Sequence, residues 1–197
     1  MNIGKIIKSS SHLNYKCRIY GKNETRVDIT EKDFHFGQFV IIKAFHDKEF
    51  IGIIYNSELY NPDYGNFGPR LTNPSDLNYV SIPDFIDETA IIVDIILVGW
   101  SENNLTRQET PPWVIPLNAE VAVMSEKEIC KFHQDESNRF CMKYYNCILS
   151  HTGNFAPQLL LKIIDDLEKI TECNQHDKLK LLKQHILWQQ TNVKLKV

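Results

Sequence analysis

The chain has 197 residues, 43% of them apolar and 24% charged, with a formal net charge of −3. That is enough chain to bury a core without disulfides or metals, and it is too apolar for a disordered polypeptide. The slight excess of acid over base speaks against a general nucleic-acid binder, and no apolar stretch nears the ~18 residues of a membrane-spanning helix.

Ile3 to Lys8 is a short run rich in isoleucine. From Leu13 to Tyr20 the positions Leu13, Tyr15, Cys17 and Ile19 alternate, which places them on one face of a strand. A charged loop follows over residues 22–33. Phe36 to Phe45 is a strong strand pattern, His46 to Glu49 makes a tight turn, and Phe50 to Tyr55 returns as the hairpin mate. Gly52 within that mate marks a bulge or a close backbone approach. Residues 61–75 hold Pro62, Pro69 and Pro74 with Gly65 and Gly68, which precludes a central strand or a helix. Residues 83–87 have room for one helical turn. Thr89 to Trp100 is the most apolar strand, broken by Asp94. Pro111 and Pro112 then precede a last strand over 117–124. About six short strands with no long helix between them point to an antiparallel sheet closed on itself. The expected fold class is therefore α+β, mainly β: a small antiparallel barrel over residues 1–125, then a helical segment over 126–197.

The helical segment opens with a capping box, Ser125 as cap and Glu128 as its reciprocal partner. Residues 136–150 have helical spacing, with Phe140, Tyr144 and Ile148 four apart. Asn154 caps a helix to about Ile170 that tolerates Pro157 in its first turn. Leu160, Ile163, Ile164, Leu167 and Ile170 form its apolar stripe. After a polar break, Asp177 caps a further helix with Leu179, Leu182 and Ile186 on one face. The last two helices read as an αα-hairpin whose stripe buries against the barrel or another protein.

Four features, in order, carry a resemblance. They are the opening strand Ile3-Gly4-Lys5-Ile6-Ile7-Lys8-Ser9-Ser10; the strand Tyr15-Lys16-Cys17-Arg18-Ile19; the strand Phe36-Gly37-Gln38-Phe39-Val40-Ile41-Ile42; and its mate Ile51-Gly52-Ile53-Ile54-Tyr55-Asn56, followed by a proline-containing loop. This order resembles the HAS-barrel family, the β-barrel shared by the N-terminus of HerA-type hexameric DNA translocases and the main subunits of the rotary ATP synthase head. The resemblance covers about the first 125 residues. It implies a non-catalytic collar that assembles a ring and, in HerA-like proteins, contacts a nuclease. The chemistry of those relatives lies in a following P-loop domain. These residues hold no G-x-x-x-x-G-K-[ST] loop: Gly4-Lys5 and Gly21-Lys22 are followed by Ile6 and Asn23.

The candidate contact surface is the loop 61–72, where Tyr64, Asn66, Phe67 and Arg70 combine stiff backbone with aromatic and cationic groups that anchor interfaces. Its plainer reading is a connection folded over one barrel end, with Arg70 paired to a carboxylate. Cys130 and His133 lie three apart near Cys141 and Cys147, but a zinc site wants paired Cys-x₂₋₄-Cys and His-x₃₋₅-His spacings. A Cys–His nucleophile wants the imidazole in hydrogen-bond reach and an oxyanion hole. Core cysteines and an exposed histidine are the simpler expectation. Five cysteines, an odd number without a C-x-x-C pair, fit a reducing compartment. With no charged-then-apolar leader in Met1-Asn2-Ile3-Gly4-Lys5, a cytoplasmic location is expected. There is no G-x-S-x-G elbow, His12 reads as a turn residue after three serines, and Asp165, Asp166, Glu168, Lys178, Lys180 and Lys183 read as solvated helix faces. No catalytic residue, cofactor or metal is expected. Residues 48–69 hold one basic residue, Lys48, against Glu49, Glu58 and Asp63, so direct nucleic-acid binding is not expected either. The leading functional expectation is a non-enzymatic barrel module that docks onto a partner protein or onto itself. The alternatives are an accessory factor for a HerA-like translocase, a direct nucleic-acid binder, and an enzyme of unrecognised type.

Overall fold

The computed structural model describes residues 1–21, 24–26, 28–45, 47–60, 90–103, 105–135, 137–170 and 176–194, with side chains described as far as Trp188. Seven strands are present among them: β1 (Asn2–Ser9), β2 (Asn14–Ile19), β3 (Phe39–Phe45), β4 (Lys48–Tyr60), β5 (Ala90–Glu102), β6 (Leu105–Arg107) and β7 (Glu120–Val123). All pairings are antiparallel, in the order β2-β1-β7-β3-β4-β5-β6, and β2 pairs back to β5. Six strands therefore close a barrel, and β6 is an extra strand on β5. Closure works because β5 is long. Its residues Ile92–Ile96 pair with β2, while Trp100–Glu102 pair with β6 on the same edge.

Alternation along the strands divides the apolar residues between two cores. Ile6, Tyr15, Cys17, Val40, Ile42, Ile54 and Ile95 belong to the barrel interior. Their neighbours Phe39, Ile41, Ile51, Ile53, Ile96 and Val98 belong to a second cluster on the outside, shared with the helices. Both faces of β3, β4 and β5 are covered there, which explains why those strands read as unbroken apolar runs. The expected face of Leu13, Tyr15, Cys17 and Ile19 is buried as a set. Asp94 interrupts β5 for a local reason: it lies in register with Lys16 and Asn56 and bonds both, at 2.8 Å each. Gly4 and Gly52 mark close approaches. A Cβ on Gly4 would sit 2.2 Å from the Arg18 carbonyl oxygen, and one on Gly52 would sit 2.4 Å from the Ile95 side chain. The register shifts between Ile51 and Gly52, as a bulge there requires.

The strand expected from Phe36 begins at Phe39. Gly37 takes φ 87° in a turn whose N–H donates to Ile54 O, so the chain enters the sheet two residues later. In the connection from β6 to β7, Ile115 and Ala119 are buried in the barrel cluster, and the Ile115 N–H donates to the Tyr15 hydroxyl at 3.2 Å. His12 bonds Pro111 O at 2.7 Å, which ties the β1–β2 turn to this segment.

Four helices follow: α1 (Glu126–Phe132), α2 (Tyr145–His151), α3 (Ala156–Ile170) and α4 (His176–Lys194). The Ser125–Glu128 capping box forms in both directions. Leu160, Ile163, Ile164 and Leu167 of α3 are buried against the outer barrel cluster. The stripe thus covers its own barrel. Leu179 and Ile186 of α4 pack into the same cluster. Asp177 stands in the first turn of α4 instead of capping it.

The helix expected over 136–150 is confined to Tyr145–His151. Asp135 takes its place upstream: its carboxylate accepts the backbone N–H groups of Ser137 and Arg139 at 2.8 and 2.9 Å. Asn138 turns to φ 56°, and Gln134 bridges Phe140. A side chain that caps the local N–H groups offers the backbone an alternative to the helix.

Candidate interaction surfaces

The loop expected to make partner contacts, with Tyr64, Asn66, Phe67 and Arg70, lies outside the described residues, as does the helical turn expected at 83–87. Cys173 does too. The chemistry that can be located lies in the connection between α1 and α2 and on the outward side of α4.

His133, expected to be exposed, is fully buried at the end of α1. Rings of Phe39, Phe132, Phe140 and Tyr144 surround it, and Phe140 stacks on it with planes 7° apart. Its Nδ1 faces Ile129 O at 2.7 Å, and a carbonyl only accepts, so Nδ1 carries the proton. Nε2 then accepts from the Tyr144 hydroxyl at 2.6 Å. Burial drives its pKa down to about 4, against a small opposing effect of the Ile129 bond. Cys130, its neighbour in sequence, bonds Ile170 O at 3.3 Å. The thiol of Cys17 is pushed up to about 12 by burial in the barrel. Cys130, Cys141 and Cys147 are half-buried, and Cys147 packs against both apolar clusters. No group of three or more metal-ligating side chains is found among the described residues.

Gln108 holds the α1–α2 connection in place. Its Nε2 donates to Phe132 O at 2.7 Å and to Cys141 O at 3.1 Å, and its Oε1 accepts from Lys143 N–H at 2.7 Å. Its carboxamide is thereby fully used in a buried position. Nothing in the sequence marks this role, since the partners lie 24 to 35 residues away.

Beside Gln108 lies an open cavity of ≈ 620 Å³, with β6 as one wall and the 131–143 connection as the other. Among the described residues, the charged ones lining it are Arg107, Lys131, Arg139 and Lys143 against Glu109 and Asp135. Arg139 pairs with Asp135 at 3.0 Å. The carboxylate of Asp135 is held below its usual range by the N–H groups of Arg139 and Ser137 and by the Arg139 guanidinium. Arg107 lies 5.3 Å from the ring centre of Trp100, which meets Trp113 edge-on. A second cavity of ≈ 440 Å³ lies between Phe34–Phe36, β4 and Phe155.

On α4, Leu181 and Trp188 are 66% and 65% exposed, whereas Leu179 and Ile186 are buried. Seven residues is close to two helical turns, so Leu181 and Trp188 lie one above the other. The visible signal in the sequence was their interruption of an otherwise polar face.

No described helix is long and apolar enough to cross a membrane. Among curated proteins none matches the chain. The model of a domain of unknown function, DUF8166, matches residues 1–195, barrel and helices together. The chain therefore belongs to the DUF8166 family.

Proposed function

We propose that this protein is a non-enzymatic β-barrel module that docks onto a partner protein through the outward face of α4. One observation carries the reading: Leu181 and Trp188 stand exposed on a helix whose other apolar face already packs on its own molecule. An exposed tryptophan with an aliphatic neighbour is the kind of group that anchors interfaces. The state of His133 supports the reading, because both ring nitrogens are engaged inside the fold and Cys130 bonds a backbone carbonyl. The partner is a protein with a complementary apolar groove, and the 61–72 loop remains part of the proposal as a second contact.

The test is affinity purification of the full chain from its native cell, with mass measurement of the complex, beside the double variant Leu181→Lys, Trp188→Glu. A defined complex that the variant loses while keeping its fold is the expected result. Identical recovery from both, or a wild-type chain that stays a lone monomer, would end the proposal.

A second reading, an accessory factor for a HerA-like translocase, draws support from the closed antiparallel barrel that the HAS-barrel resemblance implies. A translocase in the recovered complex would favour it.

A further inference from the structure

We infer that the groove beside β6 binds an acidic, extended peptide segment as an added strand. This groove is a different surface from the outward face of α4. β6 ends the strand order and pairs with β5 alone among the described residues. A free strand edge presents N–H and C=O groups at the spacing another extended chain needs. All three β6 residues, Leu105, Thr106 and Arg107, line the ≈ 620 Å³ groove, so open space adjoins the strand. The opposite wall is fixed in place by Gln108 and the Asp135 turn, which makes the groove preformed.

The charges select the ligand. The chain as a whole is acidic, at −3. Among the described residues, four of the six charged ones lining the groove are nonetheless cationic. Asp135 is already committed to Arg139 and two backbone N–H groups. Arg107, Lys131 and Lys143 make no ion pair with described residues, which leaves a surplus of positive charge among the described residues that line the groove. Arg107 is also held against Trp100, so the cation on β6 itself is partly positioned in advance. Alternate residues of an added strand face the same side about 7 Å apart, so carboxylates at alternate positions meet successive cations. A three-residue edge flanked by charge resists pairing with neutral strands, and the same charges admit an acidic one. A nucleic-acid strand also carries negative charge, but it gains from stacking on exposed aromatic faces. Here Trp100 and Trp113 contact each other, and the Phe132 ring at the groove is buried.

The probe is a fluorescein-labelled decapeptide of alternating glutamate and valine, followed by anisotropy. Controls are the lysine–valine analogue, the glutamate–valine peptide N-methylated at alternate amides, and a labelled deca-thymidylate. The expected result is binding of the glutamate–valine peptide at least about tenfold tighter than the lysine analogue, with loss on N-methylation. Arg107→Glu and Lys143→Glu should each weaken it about fivefold or more, with circular dichroism unchanged, whereas Trp188→Glu leaves it intact. Amide shift mapping on the wild-type chain covers the case in which a variant fails to fold: shifts confined to residues 105–109 and 131–143 support the site. Equal binding of both peptides, indifference to N-methylation, shifts elsewhere, or tighter binding of deca-thymidylate would overturn it.

Discussion

Burial holds the His133 imidazole neutral inside a cage of aromatic rings, with Nδ1 turned to Ile129 O and Nε2 to the Tyr144 hydroxyl. The group titrates near 6.5 in the unfolded chain and near 4 in the fold. Between those values the unfolded chain takes up a proton that the native state refuses. Stability from this group is whole above pH 6.5 and is lost as pH falls toward 4. By about pH 5 the loss amounts to about 2 kcal/mol. Urea unfolding at about pH 7.5 and about pH 5 should show it, and a folded His133→Gln variant should lose less stability between the two. Gln108 is the other residue whose environment makes it indispensable. In Gln108→Leu the carbonyls of Phe132 and Cys141 and the N–H of Lys143 lose their partner together. The expected penalty is about 2–4 kcal/mol, read as a lowered thermal midpoint. Gln108→Glu should do no better, because it sets an oxygen against two carbonyls.

Among the elements, β1 and β2 meet most closely at Gly4. A Cβ there runs into backbone, the Arg18 carbonyl at 2.2 Å, as well as the Cys17 sulfur at 2.8 Å. Backbone cannot rotate aside as a side chain can, so Gly4→Ala should destabilise the protein by about 3 kcal/mol. Denaturant titration of that variant beside Gly21→Ala, whose Cβ meets, among the described residues, the Glu24 side chain at 3.6 Å, provides the contrast. The α1 cap and the Asp135 turn make a complementary pair. Ser125 offers its oxygen to an N–H that begins a helix, and Asp135 offers its carboxylate to two N–H groups that therefore do not. The ion pairs of Lys162 and Lys169 with Asp166 and of Lys183 with Asp165 lie on partly exposed helix surface and add little each.

At the scale of the molecule, the barrel and the helices share one apolar cluster. Phe39, Ile41, Ile51, Ile53, Ile96 and Val98 on the outer sheet face are covered by α1, α2 and α3. A fragment ending at residue 125 would leave that face to water, a patch of the kind that drives association. Such a fragment should self-associate and bind a hydrophobic dye, while the full chain binds far less. A monomeric, dye-silent fragment would show that the barrel stands without its helices.

Strand identity was legible locally. The alternation of Leu13, Tyr15, Cys17 and Ile19, the apolar runs of β3, β4 and β5, and the capping box at Ser125 each depend on neighbours a few residues away, and backbone periodicity expresses such neighbours directly. Closure of the barrel followed from the number of strands and the lack of long helices between them. The extra strand β6 was missed because three residues carry no periodicity. The helix expected over 136–150 and the exposure expected of His133 fail for different reasons. Phe140, Tyr144 and Ile148 have helical spacing, but the Asp135 carboxylate takes the local N–H groups first. His133 is buried because Phe39 and Gln108, both distant in sequence, close the site around it and its neighbours. The sequence by itself determined which segments extend, which coil and where apolar faces lie, since these are short-range properties. Only tertiary structure decided that the α3 stripe covers its own barrel while Leu181 and Trp188 stay bare, and that four cationic residues gather around one groove. Burial and charge surplus arise from residues far apart in sequence, and no local pattern records them.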